Sequence, residues 1–263
     1  MITTRVTSSD EIRAFFDKEA LFIEQRHGPV NGLLDYRVGL IKRYFPQSAE
    51  ITVLDIGCGT GHHLLAVAPF IRRGIGIYFS TATIGATRKR LGASSWKEKI
   101  SFRIDDAEEL KTIPDSSVDV VICIGVLEHV VNKKLLLSNV HRVLTPFGRF
   151  VCLTPNGSHF WYSLATALHV PTKHLSTDVF LTEREVTRFL ISACFRDIEV
   201  GYWSFIPRGD VHRVIAFLLA VMDLFGKGFR INALRGGLII AAAKPVDHDV
   251  LERCGSATLE EDE

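Results

Sequence analysis

Cysteine is scarce and unpatterned in this chain. Cys58, Cys123, Cys152, Cys194 and Cys254 make an odd number, and no two stand as C-x-x-C. A disulfide framework or a zinc knuckle is therefore excluded as the organising device, and a reducing, cytoplasmic setting is expected. Charge of one sign is missing too. Lys plus Arg is 31 and Asp plus Glu is 30, a formal charge of +1 with no long basic run. Nucleic acid is accordingly a poor partner. No apolar run can span a bilayer, because the most apolar late stretch, Val214 to Met222, is bounded by Arg213 and Asp223. Met1 is not followed by a basic segment and an apolar run, so no secretory signal is expected. There is no internal repeat.

What is present is an ordinary globular composition. The 263 residues are 47% apolar and 23% charged, enough to bury a core without staples. Ser8 and Glu11 have capping-box spacing, and Ile12, Phe15, Phe16, Leu21, Phe22 and Ile23 follow helical spacing up to His27-Gly28-Pro29. A second helix is expected over 33–45, stopped by Pro46. From Ile51 the pattern changes. Apolar runs at 51–56, 74–78, 100–104, 118–124 and 149–153 alternate with helical segments, the first from about Thr60. Continuous apolar runs separated by helices predict a parallel sheet covered on both faces, hence a doubly wound α/β fold.

After Pro155 the rhythm loosens, and 155–180 reads as an irregular insertion rich in His, Trp and Tyr. Thr182 and Glu185 predict another capped helix, 195–204 a strand, and Leu238–Ala243 a final strand. The segment 211–225 has three readings: a lid over a hydrophobic acceptor, a surface helix touching lipid, or packing beneath the last strands. The last is the expectation. The acidic tail, 246–263, is expected to be disordered.

The most informative segment is Val53-Leu54-Asp55-Ile56-Gly57-Cys58-Gly59-Thr60-Gly61. Alternate glycines let the chain turn sharply and let a ligand approach without a Cβ clash. A dinucleotide fingerprint would need glycine where His62 stands. Asp55 would repel a pyrophosphate but attract an ammonium or sulfonium. The loop suits a nucleoside carrying positive charge; the bland alternative is that Asp55 only caps the turn.

VLDIGCGTG at 53–61, DAEEL at 106–110, IPDSSVDVVICIGVLEHV at 113–130 and VHRVLTPFGRFVCLTPN at 140–156 stand in an order and spacing that resemble the class I S-adenosylmethionine-dependent methyltransferases, within the small-molecule group that includes ubiquinone-biosynthesis enzymes. The resemblance implies a Rossmann-like, seven-stranded sheet whose last strand is antiparallel. It implies a helical cap over 1–47 and a methyltransferase domain over 48–245, with insertions at about 155–180 and 205–230. S-adenosyl-L-methionine would be the cofactor. Asp55, Gly57, Cys58, Gly59 and Gly61 would line its methionine end. Tyr78 and Phe79 would meet the ribose and adenine, Asp106 and Ala107 the adenine, and Gly125 with Val126 the transferable methyl.

The chain departs from the family in three places. Tyr78 stands where a ribose-binding Asp or Glu is usual, and a phenol is no bidentate anionic acceptor. Glu128 and His129 lack the carboxylate three residues earlier that some relatives use for a divalent ion, so no metal is expected. Pro146-Phe147-Gly148 replaces a double glycine in a turn. For a hydroxyl acceptor, His129 is the first candidate base; the competing reading is that it orients its loop. His159, His169 and His174 lie in the insertion and are further candidates. The resulting expectation is methyl transfer to a small organic, hydrophobic acceptor at oxygen. The alternatives are transfer to nitrogen, or a methyltransferase-fold protein with a weakened or repurposed site. Peripheral membrane contact stays open, and the oligomeric state is not read.

Overall fold

The computed structural model describes residues 3–6, 10–17, 31–170, 172–173, 175–205 and 213–246. The expectations for Ser8, for 21–29, for His174 and for the tail beyond residue 246 lie outside the described residues. An N-terminal helix, α1, is described over residues 10–17. Then follow α2 (Asn31–Ile41), β1 (Thr52–Ile56), α3 (His62–Val67), β2 (Arg73–Tyr78), α4 (Thr81–Gly92), β3 (Ile100–Ile104), β4 (Val118–Ile124), α5 (Lys133–Val143) and β5 (Leu144–Pro155). The last part comprises α6 (Phe160–Ala167), α7 (Glu183–Ser192), β6 (Arg196–Trp203), α8 (Arg213–Phe229) and β7 (Gly237–Ala243).

The strands form one seven-stranded sheet in the order β3-β2-β1-β4-β5-β7-β6. The first five run parallel, whereas β7 pairs antiparallel with both β5 and β6. This is the class I methyltransferase architecture the sequence predicts. Alternation along each strand explains why the strands read as unbroken apolar runs. Leu54, Ile56, Val121 and Cys123 point to one face, under α5 and α7. Val53, Val120, Ile122 and Val151 point to the other, under α2, α3 and α4. Both faces are covered, so apolar residues occupy both sets of alternate positions, with Asp55 a buried exception near the end of β1.

Local chemistry fixes the helix ends. The Ser80 hydroxyl accepts from the Thr83 amide, starting α4. Thr182 and Glu185 form the full reciprocal capping box of α7. Three expectations are corrected. Helix α3 starts at His62, because Gly61 is left-handed at φ 78°. The region 155–180 contains the two-turn α6, whose Trp161 and Ala165 are buried. Helix α8 does not lie beneath the last strands with its apolar side inward. Leu219 and Asp223 face inward, and Phe217, Leu224 and Phe229 are exposed.

Candidate functional site

The strand order reverses between β1 and β4, and the loops leaving their carboxyl ends diverge there. Such a switch point opens a crevice in doubly wound sheets. The loop after β1 is tied down by the Cys58 amide, which donates to the Ile77 carbonyl of β2 at 2.9 Å. Gly57 has φ 67°, and a Cβ there would stand 2.4 Å from Val126 Cγ2. At Gly61 a Cβ would stand 2.5 Å from Phe102 Cζ. These two positions therefore demand glycine for both conformation and space.

Asp55 lies one residue from the end of β1 and is only 2% exposed. Its Oδ2 is buried without a hydrogen-bond partner among the described residues. Burial raises its pKa to about 8. The carboxylate that the sequence presents as an anion is thus protonated near neutral pH until a cation arrives. Arg37, on α2, is a second buried ionisable group and lies near enough to His63 for its charge to act there. Its Nε is also buried without a hydrogen-bond partner among the described residues, and its guanidinium lies 5.5 Å from the Trp203 ring centroid. Burial lowers the Arg37 pKa, opposed by the charge of Glu128. His63, just after the glycine loop, is held neutral: burial, then the charges of Arg37 and His62, depress its pKa to about 3. Sequence reasoning missed Arg37, since a single arginine on a helix ordinarily marks a solvated face.

A second group gathers at the ends of β2 and β3. The rings of Tyr78 and Phe79 lie 4.4 Å apart. Asp105 orders the next loop. Its carboxylate accepts from the amides of Asp106 and Thr112 at 2.8 Å and 2.7 Å, and from the Thr112 hydroxyl. Asp106 Oδ1 accepts from the Glu108 amide at 2.8 Å, and Oδ2 pairs with Arg13 of α1. Ala107 is half-buried against the core under α5. Helix α1 thus lies across this edge. Phe16 sits edge-on to Phe79 at 6.4 Å and to His129 at 5.0 Å.

The third group follows β4. Gly125 is left-handed at φ 67°, which turns the chain out of the sheet. Glu128 is buried, and its Oε2 accepts from the Thr154 hydroxyl at 3.1 Å. His129 Nδ1–H donates to Asp178 Oδ1 at 2.7 Å, and Asp178 is fully buried. The other Asp178 oxygen accepts from the Leu175 amide at 2.9 Å. Burial alone would lower the His129 pKa, but the hydrogen bond to Asp178 and the charges of Glu128 and Asp178 outweigh it, leaving the pKa raised. Asp178 carried no local sequence signal, because it meets His129 across 49 residues. Of the histidines in the insertion, His159 caps α6 and is buried beside Phe160, and His169 ends the same helix at φ 55°.

The structure therefore brings Asp55, Gly57, Cys58, Gly59, Gly61, Tyr78, Phe79, Asp106, Ala107, Gly125 and His129 to the carboxyl edge of the parallel strands. A buried acid with an unpartnered oxygen, an aromatic pair, and a histidine–carboxylate dyad line that edge. The unpartnered Asp55 oxygen, once ionised, fits an ammonium such as that of an amino-acid end.

The methyltransferase domain family matches residues 47–193, more than half of the chain. Among curated proteins, the demethylmenaquinone methyltransferase of Symbiobacterium thermophilum is 34% identical over 104 residues, which cover 38% of this chain and 41% of that protein. The ubiquinone biosynthesis O-methyltransferase of Rickettsia felis is 27% identical over 198 residues, covering 71% and 75%. The chain spans less than half the length of the first curated relatives it matches. Among solved structures, the 4+2 cyclase SpnF superposes with a TM-score of 0.69 at 17% identity, covering 94% of this chain and all of that one. At that identity the likeness concerns the fold.

Proposed function

The chain belongs to the methyltransferase domain family, and from that premise we propose that it transfers a methyl group from S-adenosylmethionine to the hydroxyl of a small, apolar organic acceptor. The observation that supports this reading is the buried Asp55 carboxyl at the end of β1, whose Oδ2 has no hydrogen-bond partner among the described residues. Asp55 would take the ammonium of the methionine end, beside the left-handed backbone at Gly57. S-adenosylmethionine supplies a methyl already activated on sulfonium. What is left to the protein is alignment and proton removal.

The chain's own residues supply both. Gly57, Gly59 and Gly61 would leave bare backbone beside the methionine end, with the Cys58 amide tied to β2, and Gly125 would do so opposite. Asp106 and Ala107 offer an edge to adenine, with Phe79 beside them. His129 is held by Asp178 with Nδ1 protonated, so Nε2 is the basic nitrogen and would take the acceptor's proton as the oxygen–methyl bond forms. No metal ligand set enters this reading. The names of the two relatives, one a demethylmenaquinone methyltransferase and one a ubiquinone biosynthesis enzyme, support an apolar acceptor.

A second reading is favoured by one observation. Arg13 already engages Asp106, and Tyr78 replaces the usual ribose-binding acid. A site so altered could serve other chemistry, as the cyclase name of the fold neighbour illustrates. Calorimetry separates the two. Binding of S-adenosylmethionine and S-adenosylhomocysteine, followed by a single-methyl mass gain on a phenol from an acceptor panel, supports methyl transfer. No heat at millimolar ligand overturns it.

A further inference from the structure

Helix α8, inserted between β6 and β7, is turned inside out relative to an ordinary surface helix. Its single acidic residue, Asp223, faces inward and is 3% exposed. There it accepts from Arg235 Nε at 3.2 Å and from the Gly236 amide at 3.1 Å. The inward side of α8 also packs Leu219 against Trp161 and Ala165 of α6. These contacts pin the rotation of the helix. The outward side consequently carries Phe217, Leu218, Val221, Leu224, Phe225 and Phe229, which are 67%, 54%, 49%, 70%, 52% and 67% exposed. Their spacing is that of one continuous helical stripe. Single exposed apolar residues need no explanation, but a stripe of this extent marks an interaction surface.

We infer that α8 docks the protein on the surface of an anionic lipid bilayer, lying in the plane of the interface with its apolar stripe among the acyl chains. Three features select this occupant. The helix has 17 residues, about 25 Å at 1.5 Å per residue, and is too short to cross a hydrocarbon core of about 30 Å; no described helix is long and apolar enough to cross a membrane. The outward side carries no acid, while Lys227 and Arg230 stand exposed at its carboxyl end. That combination suits phosphate headgroups flanking an apolar layer. A second copy of the chain is a worse match. Antiparallel pairing of α8 with itself would bring two stripes together with no exposed acid on either helix to meet Lys227. The inference stands whether or not the chain transfers methyl groups.

Flotation of the full chain with vesicles tests it. Phosphatidylcholine vesicles are compared with vesicles in which a third of the lipid is phosphatidylglycerol. Co-flotation with the mixed vesicles is expected, at least tenfold stronger than with neutral ones, since each cation near an anionic surface strengthens binding by about fivefold. Phe217→Glu combined with Leu224→Glu should abolish it without lowering the thermal midpoint, because both side chains point outward. Lys227→Glu combined with Arg230→Glu should reduce binding to the neutral-vesicle level. Failure to float with either vesicle overturns the inference, as does undiminished flotation of the Phe217→Glu, Leu224→Glu variant. It is equally overturned if light scattering gives two chains for the parent and one for that variant, which would assign the stripe to a second copy.

Discussion

His129 and Asp178 meet across 2.7 Å between Nδ1 and Oδ1, with the carboxylate fully buried. The pairing raises the histidine's pKa despite the burial that opposes it. It also fixes which nitrogen carries the proton. Asp178→Asn keeps the volume and one acceptor but removes the charge, so the His129 pKa should fall. A proton NMR titration of the ring checks this directly. In turnover, the acid limb of kcat/KM should move to lower pH, and His129→Ala should cost about 100-fold or more. The stability sign follows from linkage. The group is raised above its ordinary 6.5, so its contribution is fully present below that value and is lost as pH rises through the folded-state pKa. Asp178→Asn should therefore lower the thermal midpoint more at pH 5.5 than at pH 9.

Asp55 gives the same sign from a different cause. Its carboxyl is raised to about 8 by burial, so it holds a proton that the unfolded chain has lost. Stability should fall between about pH 4 and pH 8, by up to about 1.4 kcal/mol per pH unit from this group, and then level off. A cationic ligand needs the ionised form. Affinity for S-adenosylhomocysteine should consequently rise with pH up to about 8. Titrations in buffers of different ionisation enthalpy should show proton release on binding. Asp55→Asn should weaken binding about tenfold or more and flatten both dependences.

Arg13 and the ligand compete for one carboxylate if Asp106 receives the adenine. Arg13 is exposed enough for removal to cost little fold stability. Arg13→Ala should then speed cofactor association and lower Kd, read by stopped-flow fluorescence. An Arg13→Ala variant with slower association would mean that α1 helps to hold the ligand instead of excluding it.

Much of this was legible in the sequence, because it depends on short-range pattern. Strands 100–104 and 118–124 stand as read, residue for residue, the edge strand through its alternating Ile and Phe and the central one through its Val and Ile run. The Thr182–Glu185 cap is likewise a local signal. Other features depend on partners distant in the chain. Periodicity reveals the α8 stripe but not which way it faces; that is decided by Asp223 meeting Arg235. Helix α6 is hidden by His and aromatic residues that it uses for packing against α8. The burial of Asp55, and the raised pKa it causes, was not legible because a motif gives residue identity and not burial. Asp178 and Arg37 lie outside every motif and become visible only when the fold brings them to the strand ends.

Gly57 allows two causes of strain to be separated. Its φ of 67° disfavours any side chain, and a Cβ would also meet Val126 Cγ2 at 2.4 Å. Gly57→Ala should destabilise the protein by about 2 kcal/mol or more, combining the backbone penalty with a steric clash. Val126→Ala removes the clashing methyls but leaves the backbone term. The double variant should thus recover part of the loss, with a coupling energy of about 1 kcal/mol in a double-mutant cycle measured by urea unfolding. Cofactor affinity should not recover in parallel, because the alanine methyl would then occupy the space beside the methionine end. Recovery of stability without recovery of binding is the expected signature of a glycine retained for its ligand as well as for its turn.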